Sequence, residues 1–105
     1  MIITTTPSIE GHPIREYLGV ISAETIIGAN VFRDLAANIR DFFGGRSSSY
    51  ENVLRKGKET AINELRINAE SRGATAIVGV SLSYEAIGGN GSMLMVVATG
   101  TAVTI

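Results

Sequence analysis

The last third of the chain has the pattern of two long strands joined by a tight turn, and this limits the fold more than any other feature. Apolar and polar residues alternate from Thr75 to Ile87, as in a strand with two different faces. Asn90-Gly91 follows, a pair that favours the positive φ angles of a hairpin turn. Met93 to Ile105 is then the return strand. The residues expected to share one face of the first strand are Ala76, Val78, Val80, Leu82, Tyr84 and Ala86.

The rest of the chain supplies two more strands and two helices. β-branched residues predict strands at Ile2–Thr5 and Tyr17–Ile27. Apolar residues at helical spacing predict helices over Val31–Phe43 and Ser49–Arg72. The order β-β-α-α-β-β predicts one two-layer α+β domain over residues 1–105, with both helices on one face of an antiparallel sheet.

Three details of the second helix can be predicted from spacing. Ser48 and Glu51 have the spacing of a capping box at its start, and Gly73 has the place of a C-terminal cap. Gly57 lies inside the helix, where glycine costs about 1 kcal/mol relative to alanine, and it therefore indicates close packing. Arg66 and Glu70 are spaced to form an ion pair on the solvent side.

Charge is scarce in the sheet-forming end of the chain. Charged residues make up 18% of the sequence, and from Gly73 to Ile105 the one charged residue is Glu85. A sheet with helices on one face and water on the other carries charge on its wet face. Small uncharged residues there suit contact with another protein surface. We therefore expect a homo-oligomer.

Composition also disfavours several classes of function. The net charge is −1 and Lys and Arg do not cluster, which disfavours nucleic-acid binding. With 0 cysteines the chain lacks disulfides, thiolate metal ligands and a cysteine nucleophile. The start of the chain lacks a signal-peptide pattern, and no apolar run is long enough to cross a membrane as a helix. We expect a cytoplasmic protein without a membrane partner.

The loop between the two predicted helices is the best candidate for a ligand site. Paired glycines allow close backbone approach, and an arginine beside the start of a helix suits an anion. The competing interpretation, which we favour, is structural: the glycine and serine cap the helices, and the arginine contacts another subunit. The candidate ligand-binding residues are Gly44, Gly45, Arg46, Ser47, Ser49, Tyr50 and Glu51.

A metal site is the second candidate. Glu10, His12 and Glu16 have side chains of the types that hold divalent ions. They fall in a turn without a recognised ligand spacing, so a solvated turn is the favoured interpretation, although repetition around an oligomer axis would bring several copies together. No catalytic pair or triad stands out, which disfavours an enzyme. No cofactor other than this metal ion is predicted.

Five segments resemble the YbjQ-like family of small bacterial proteins. They are Glu16–Ile21, Gly28–Asn30, Gly44–Glu51, Gly73–Val80 and Gly100–Val103, and the resemblance extends in order over essentially the whole chain. The resemblance implies a subunit similar in shape to dodecin subunits and a ring-shaped homopentamer. The family is uncharacterised and is labelled as heavy-metal-binding. The sequence thus leaves two interpretations: a ring-forming binding or scaffold protein with an anionic ligand at the Gly44–Glu51 loop, or a metal-binding protein that uses carboxylates and His12 across subunits.

Overall fold

The computed structural model describes residues 1–28, 48–88 and 93–105. In these parts one helix packs on a four-stranded mixed sheet with the order β1-β3-β4-β2. The helix predicted over Val31–Phe43 and most of the predicted hairpin turn lie outside the described residues. The elements are β1 (Ile2–Ile3), β2 (Glu16–Ile27), α1 (Ser48–Ser71), β3 (Ala76–Ile87) and β4 (Met93–Thr104).

The sheet is antiparallel except at one edge. The predicted pairing of β3 with β4 is confirmed, and β2 pairs antiparallel with the other side of β4. The prediction of a fully antiparallel sheet is wrong for β1, which runs parallel to β3 with Ile2 beside Ala76. The reason is the path of the chain, because residues 4–15 cross from β1 at one edge to β2 at the opposite edge.

A bulge in β3 changes which residues share a face. The register of β3 on β4 shifts between Val78 and Ser81, and Gly79 lies in the shift with a φ of 61°. The extra residue turns the strand over, so the single face predicted from alternation is wrong. Ala76 and Val78 face away from α1. After the bulge, Val80 and Leu82 pack on the α1 side.

The core lies between α1 and the sheet. Ala61, Leu65 and Ala69 form a stripe at four-residue spacing, and each is 0% exposed. The close packing predicted at Gly57 is confirmed, because a Cβ there would lie 3.2 Å from Val96 Cγ2. No helix in the described parts of the chain is long and apolar enough to cross a membrane.

The predicted C-terminal cap of α1 is confirmed. Gly73 has a φ of 80°, and its N–H donates to the Glu70 carbonyl at 3.0 Å. The Ala74 N–H donates to the Ala69 carbonyl at 3.0 Å, which completes the hydrogen-bond pattern of a Schellman cap. The predicted Arg66–Glu70 pair is confirmed at 2.6 Å. The capping box depends on the side chain of Ser48, which lies outside the described residues.

Candidate functional site

The sheet has a second face, opposite α1, which we call the outer face. Cross-strand pairing fixes its membership: Ile26 of β2 lies beside Met95 of β4, and Met95 lies beside Glu85 of β3. The outer face consists of Tyr17, Val20, Ser22, Glu24 and Ile26 from β2, Ala76, Val78, Ser81, Ser83, Glu85 and Ile87 from β3, and Met93, Met95, Val97, Thr99, Thr101 and Val103 from β4.

The outer face is poor in charge and largely exposed in the single chain. Val20 is 76% exposed and Ile26 is 58% exposed, which is unusual for large apolar residues within a strand. The apolar side chains that pack on this side surround Val103 at one end of the sheet. They are Ile9, Ile14 and Ile105. The charged groups of the outer face are Glu24 and Glu85.

The two edges of the sheet differ in how they are covered. At the β2 edge, two side chains of α1 reach backbone carbonyls: Asn68 Nδ2 donates to the Ser22 carbonyl at 3.3 Å, and Arg72 Nη1 donates to the Leu18 carbonyl at 3.3 Å. At the other edge, β1 covers only the start of β3. Sequence reasoning missed these contacts, because they join residues 46 and 54 positions apart and no local pattern marks them.

The predicted metal ligands lie in the exposed N-terminal turn and at the start of β2. Glu10, His12 and Glu16 are all exposed, and the His12 N–H donates to the Ile9 carbonyl at 3.1 Å. Within the described residues, no three His, Cys, Asp or Glu side chains lie close enough to hold one metal ion. Glu10 lines a surface groove of about 540 Å³ together with threonine and serine hydroxyls. A site shared between subunits stays a prediction.

The candidate loop site is described only at its end. Gly44, Gly45, Arg46 and Ser47 lie outside the described residues, while Ser49 and Tyr50 belong to the first turn of α1. The Glu51 side chain lines a shallow groove of about 260 Å³, which brings an acid, two basic groups and a phenol together. The other residues of this groove are Leu54, Arg55, Lys58 and Tyr84.

These features define a small α+β protein with one described helix on a mixed sheet. The profile of the YbjQ family, described as "Putative heavy-metal-binding", matches residues 1–105, and the chain belongs to this family. The family resemblance seen in the sequence is thereby confirmed. The chain is also similar to the crystal structure of a protein of unknown function from Pediococcus pentosaceus, of the DUF74 family. The TM-score is 0.66 at 20% identity over 100% of this chain and 97% of that chain, which supports the fold alone.

Proposed function

We propose that the protein is a homo-oligomeric binding or scaffold protein whose dodecin-like subunits assemble into a ring and bury part of the outer face. The observation that supports this most directly is the exposure of Val20 and Ile26 on a face with only two charged side chains. Large apolar side chains exposed on a sheet face with little charge are an aggregation hazard in a monomer. Assembly with further copies removes it from water.

The ligand in this proposal is a small anion held near the Gly44–Glu51 loop at a subunit junction. The support is the start of α1 at Ser48, because the first turn of a long helix carries the positive end of the helix dipole. Arg46 adds a guanidinium in the adjoining sequence. The ligand part of the proposal depends on these sequence features, whereas the assembly part depends on the outer face.

The assembly is tested by the molar mass in solution. Val97 lies at the centre of the outer face, beside Glu24 and Ser83. We expect the wild type to have a mass several times that of one chain by light scattering at micromolar concentration. Val97→Lys buries an ammonium group in the interface, so its mass should fall towards 11.1 kDa.

Ile67→Lys is the matched control, since Ile67 is 53% exposed on α1 and the same charge there should leave the mass unchanged. Circular dichroism establishes that both variants are folded. A wild type with the mass of a single chain at all concentrations contradicts the assembly.

The second candidate function is metal binding, which the description of the family favours. In this case His12, with Glu10 or Glu16 of neighbouring copies, holds a divalent ion. Tag-free protein dialysed against zinc or nickel is then expected to retain about one ion per subunit or per ring, and His12→Ala is expected to lose it. Glu64→Ala, an exposed acid on α1, is the control and should retain the ion. Wild type that retains no ion contradicts this candidate.

A further inference from the structure

We propose that neighbouring subunits join through their sheet edges, with β2 of one copy added as a parallel strand to β3 of the next copy. This inference rests on the proposed homo-oligomer and adds to the buried outer face a second contact, between two sheet edges. The sheet order places β2 at one edge and β3, beyond the two residues of β1, at the other. Joining unlike edges is a head-to-tail contact, which can close into a ring.

The free backbone groups of β2 can be identified from one hydrogen bond. The N–H and C=O of a residue in an antiparallel strand point to the same side, and successive residues alternate. The Ser22 carbonyl accepts a hydrogen bond from Asn68 of α1, so Ser22 points away from β4. Two and four residues later, Glu24 and Ile26 point to the same outer side. They have no strand partner there among the described residues.

The free backbone groups of β3 follow from its contact with the N-terminal segment. The Val80 N–H donates to the Thr4 carbonyl at 3.0 Å, so Val80 points away from β4. Leu82, Tyr84 and Ala86 then point away from β4 as well. Within the described parts of the chain these three residues have β4 as their only strand neighbour, on the opposite side. The backbone N–H and C=O of Ser81 consequently point towards Thr99 of β4. This agrees with the direction of Ser22, because Thr99 then points towards β3 and Ser22, on the other side of β4, points away from it.

The side chains make the two edges compatible in parallel orientation. In a parallel pair, a residue whose N–H and C=O point towards the other strand forms hydrogen bonds with two residues of that strand. These two residues lie before and after the residue directly beside it. Tyr84 points across and has its side chain on the α1 face, while Thr25 lies between Glu24 and Ile26 and also faces α1. Thr25 and Tyr84 of different copies can therefore lie side by side with both outer faces continuous. In an antiparallel pair Glu24 would instead lie opposite Tyr84. Their side chains are on different faces, so the outer face of one copy would then adjoin the α1 face of the next.

The length and register of the joint are also restricted. Asn68 and Arg72 already occupy the carbonyls of Ser22 and Leu18, which leaves the joint to residues 24–27. Neither residues 24–27 nor residues 81–87 contain the lysine or proline that commonly protects an edge. Glu24 beside Glu85 is unfavourable because like charges on adjacent strands repel. Two registers remain, with Ile26 beside either Ser83 or Glu85 of the next copy.

Cysteine cross-linking tests the joint without interference, because the chain has 0 cysteines. The double variants are Ile26→Cys/Ser83→Cys and Ile26→Cys/Glu85→Cys. Within one chain β4 lies between these positions, so they are at least about 9.6 Å apart, two strand spacings, which exceeds the reach of a disulfide. Under mild oxidation we expect one of the two variants to give a ladder of linked subunits on a non-reducing gel. The largest linked species is expected to contain as many subunits as the ring.

The controls separate this joint from other contacts. Glu59→Cys/Ser71→Cys, on exposed positions of α1, should give no ladder. Linked dimers from Ile26→Cys alone indicate pairing of β2 with β2 and overturn the proposal. Circular dichroism and molar mass of the reduced variants establish that they are folded and assembled. If the wild type is oligomeric and neither double variant links, the strand joint is wrong while the oligomer stands; a monomeric wild type overturns both.

Discussion

Leu65→Ala is expected to lower the free energy of unfolding by about 2–5 kcal/mol, the range for leucine truncation in a packed core. Leu65 is 0% exposed and lies at the centre of the α1 stripe, where α1 contacts β2 and β4. Its neighbours on the stripe, Ala61 and Ala69, are too small to close the resulting cavity. Small domains have only about 5–15 kcal/mol of stability, so this variant loses a large share of it.

Urea unfolding followed by circular dichroism measures the effect as a lower midpoint with an unchanged m-value. All samples are compared at one protein concentration, because assembly contributes to apparent stability. Ile67→Ala is the matched control on the same helix, since Ile67 is 53% exposed and its truncation should cost less than about 1 kcal/mol. Equal losses in the two variants contradict the packing described for α1.

The sequence predicted the elements better than it predicted their arrangement. Periodicity located α1, β2, β3 and β4 within about one or two residues, because burial of one face imposes a regular spacing of apolar residues. It did not predict the bulges at Gly19 and Gly79, where φ is 108° and 61°. A glycine within an alternating segment does not show whether a bulge is present, or at which residue the alternation of side chains between the two faces shifts. The faces of β3 were therefore misassigned.

For the outer face, the sequence predicted the scarcity of charge but not the contacts around it. The single charge between Gly73 and Ile105 indicated a dry second face, and the structure shows that this face is open in one chain. The contacts of Asn68 and Arg72 with the β2 edge depend on how α1 lies across the sheet, which no local pattern encodes. The parallel pairing of β1 is likewise a property of chain path, because two residues carry no pattern.

Gly100→Ala is expected to destabilise the protein by about 1–3 kcal/mol, although it adds a single methyl group. A Cβ on Gly100 would lie 2.8 Å from Ile77 Cγ2, 3.2 Å from Val80 Cγ2 and 3.3 Å from the Val78 carbonyl oxygen. The backbone of Gly100 does not have a positive φ, so the cost arises from packing and not from backbone strain. Gly28→Ala is the matched control, because a Cβ there meets nothing within 4 Å and its melting temperature should stay within about 2 °C of the wild type.

The bulge explains why this position admits no side chain. Val78 pairs with Thr101 and Ser81 pairs with Thr99, so two residues of β3 lie opposite Gly100. Ile77 and Val80, on either side of the extra residue, consequently both turn towards α1 and converge over Gly100. A β-branched side chain in a buried strand has few alternative rotamers, so neither neighbour can move aside cheaply. An unchanged melting temperature in Gly100→Ala contradicts this account. It would mean that β3 has no bulge opposite Gly100 and that Ile77 and Val80 leave room for a methyl group there.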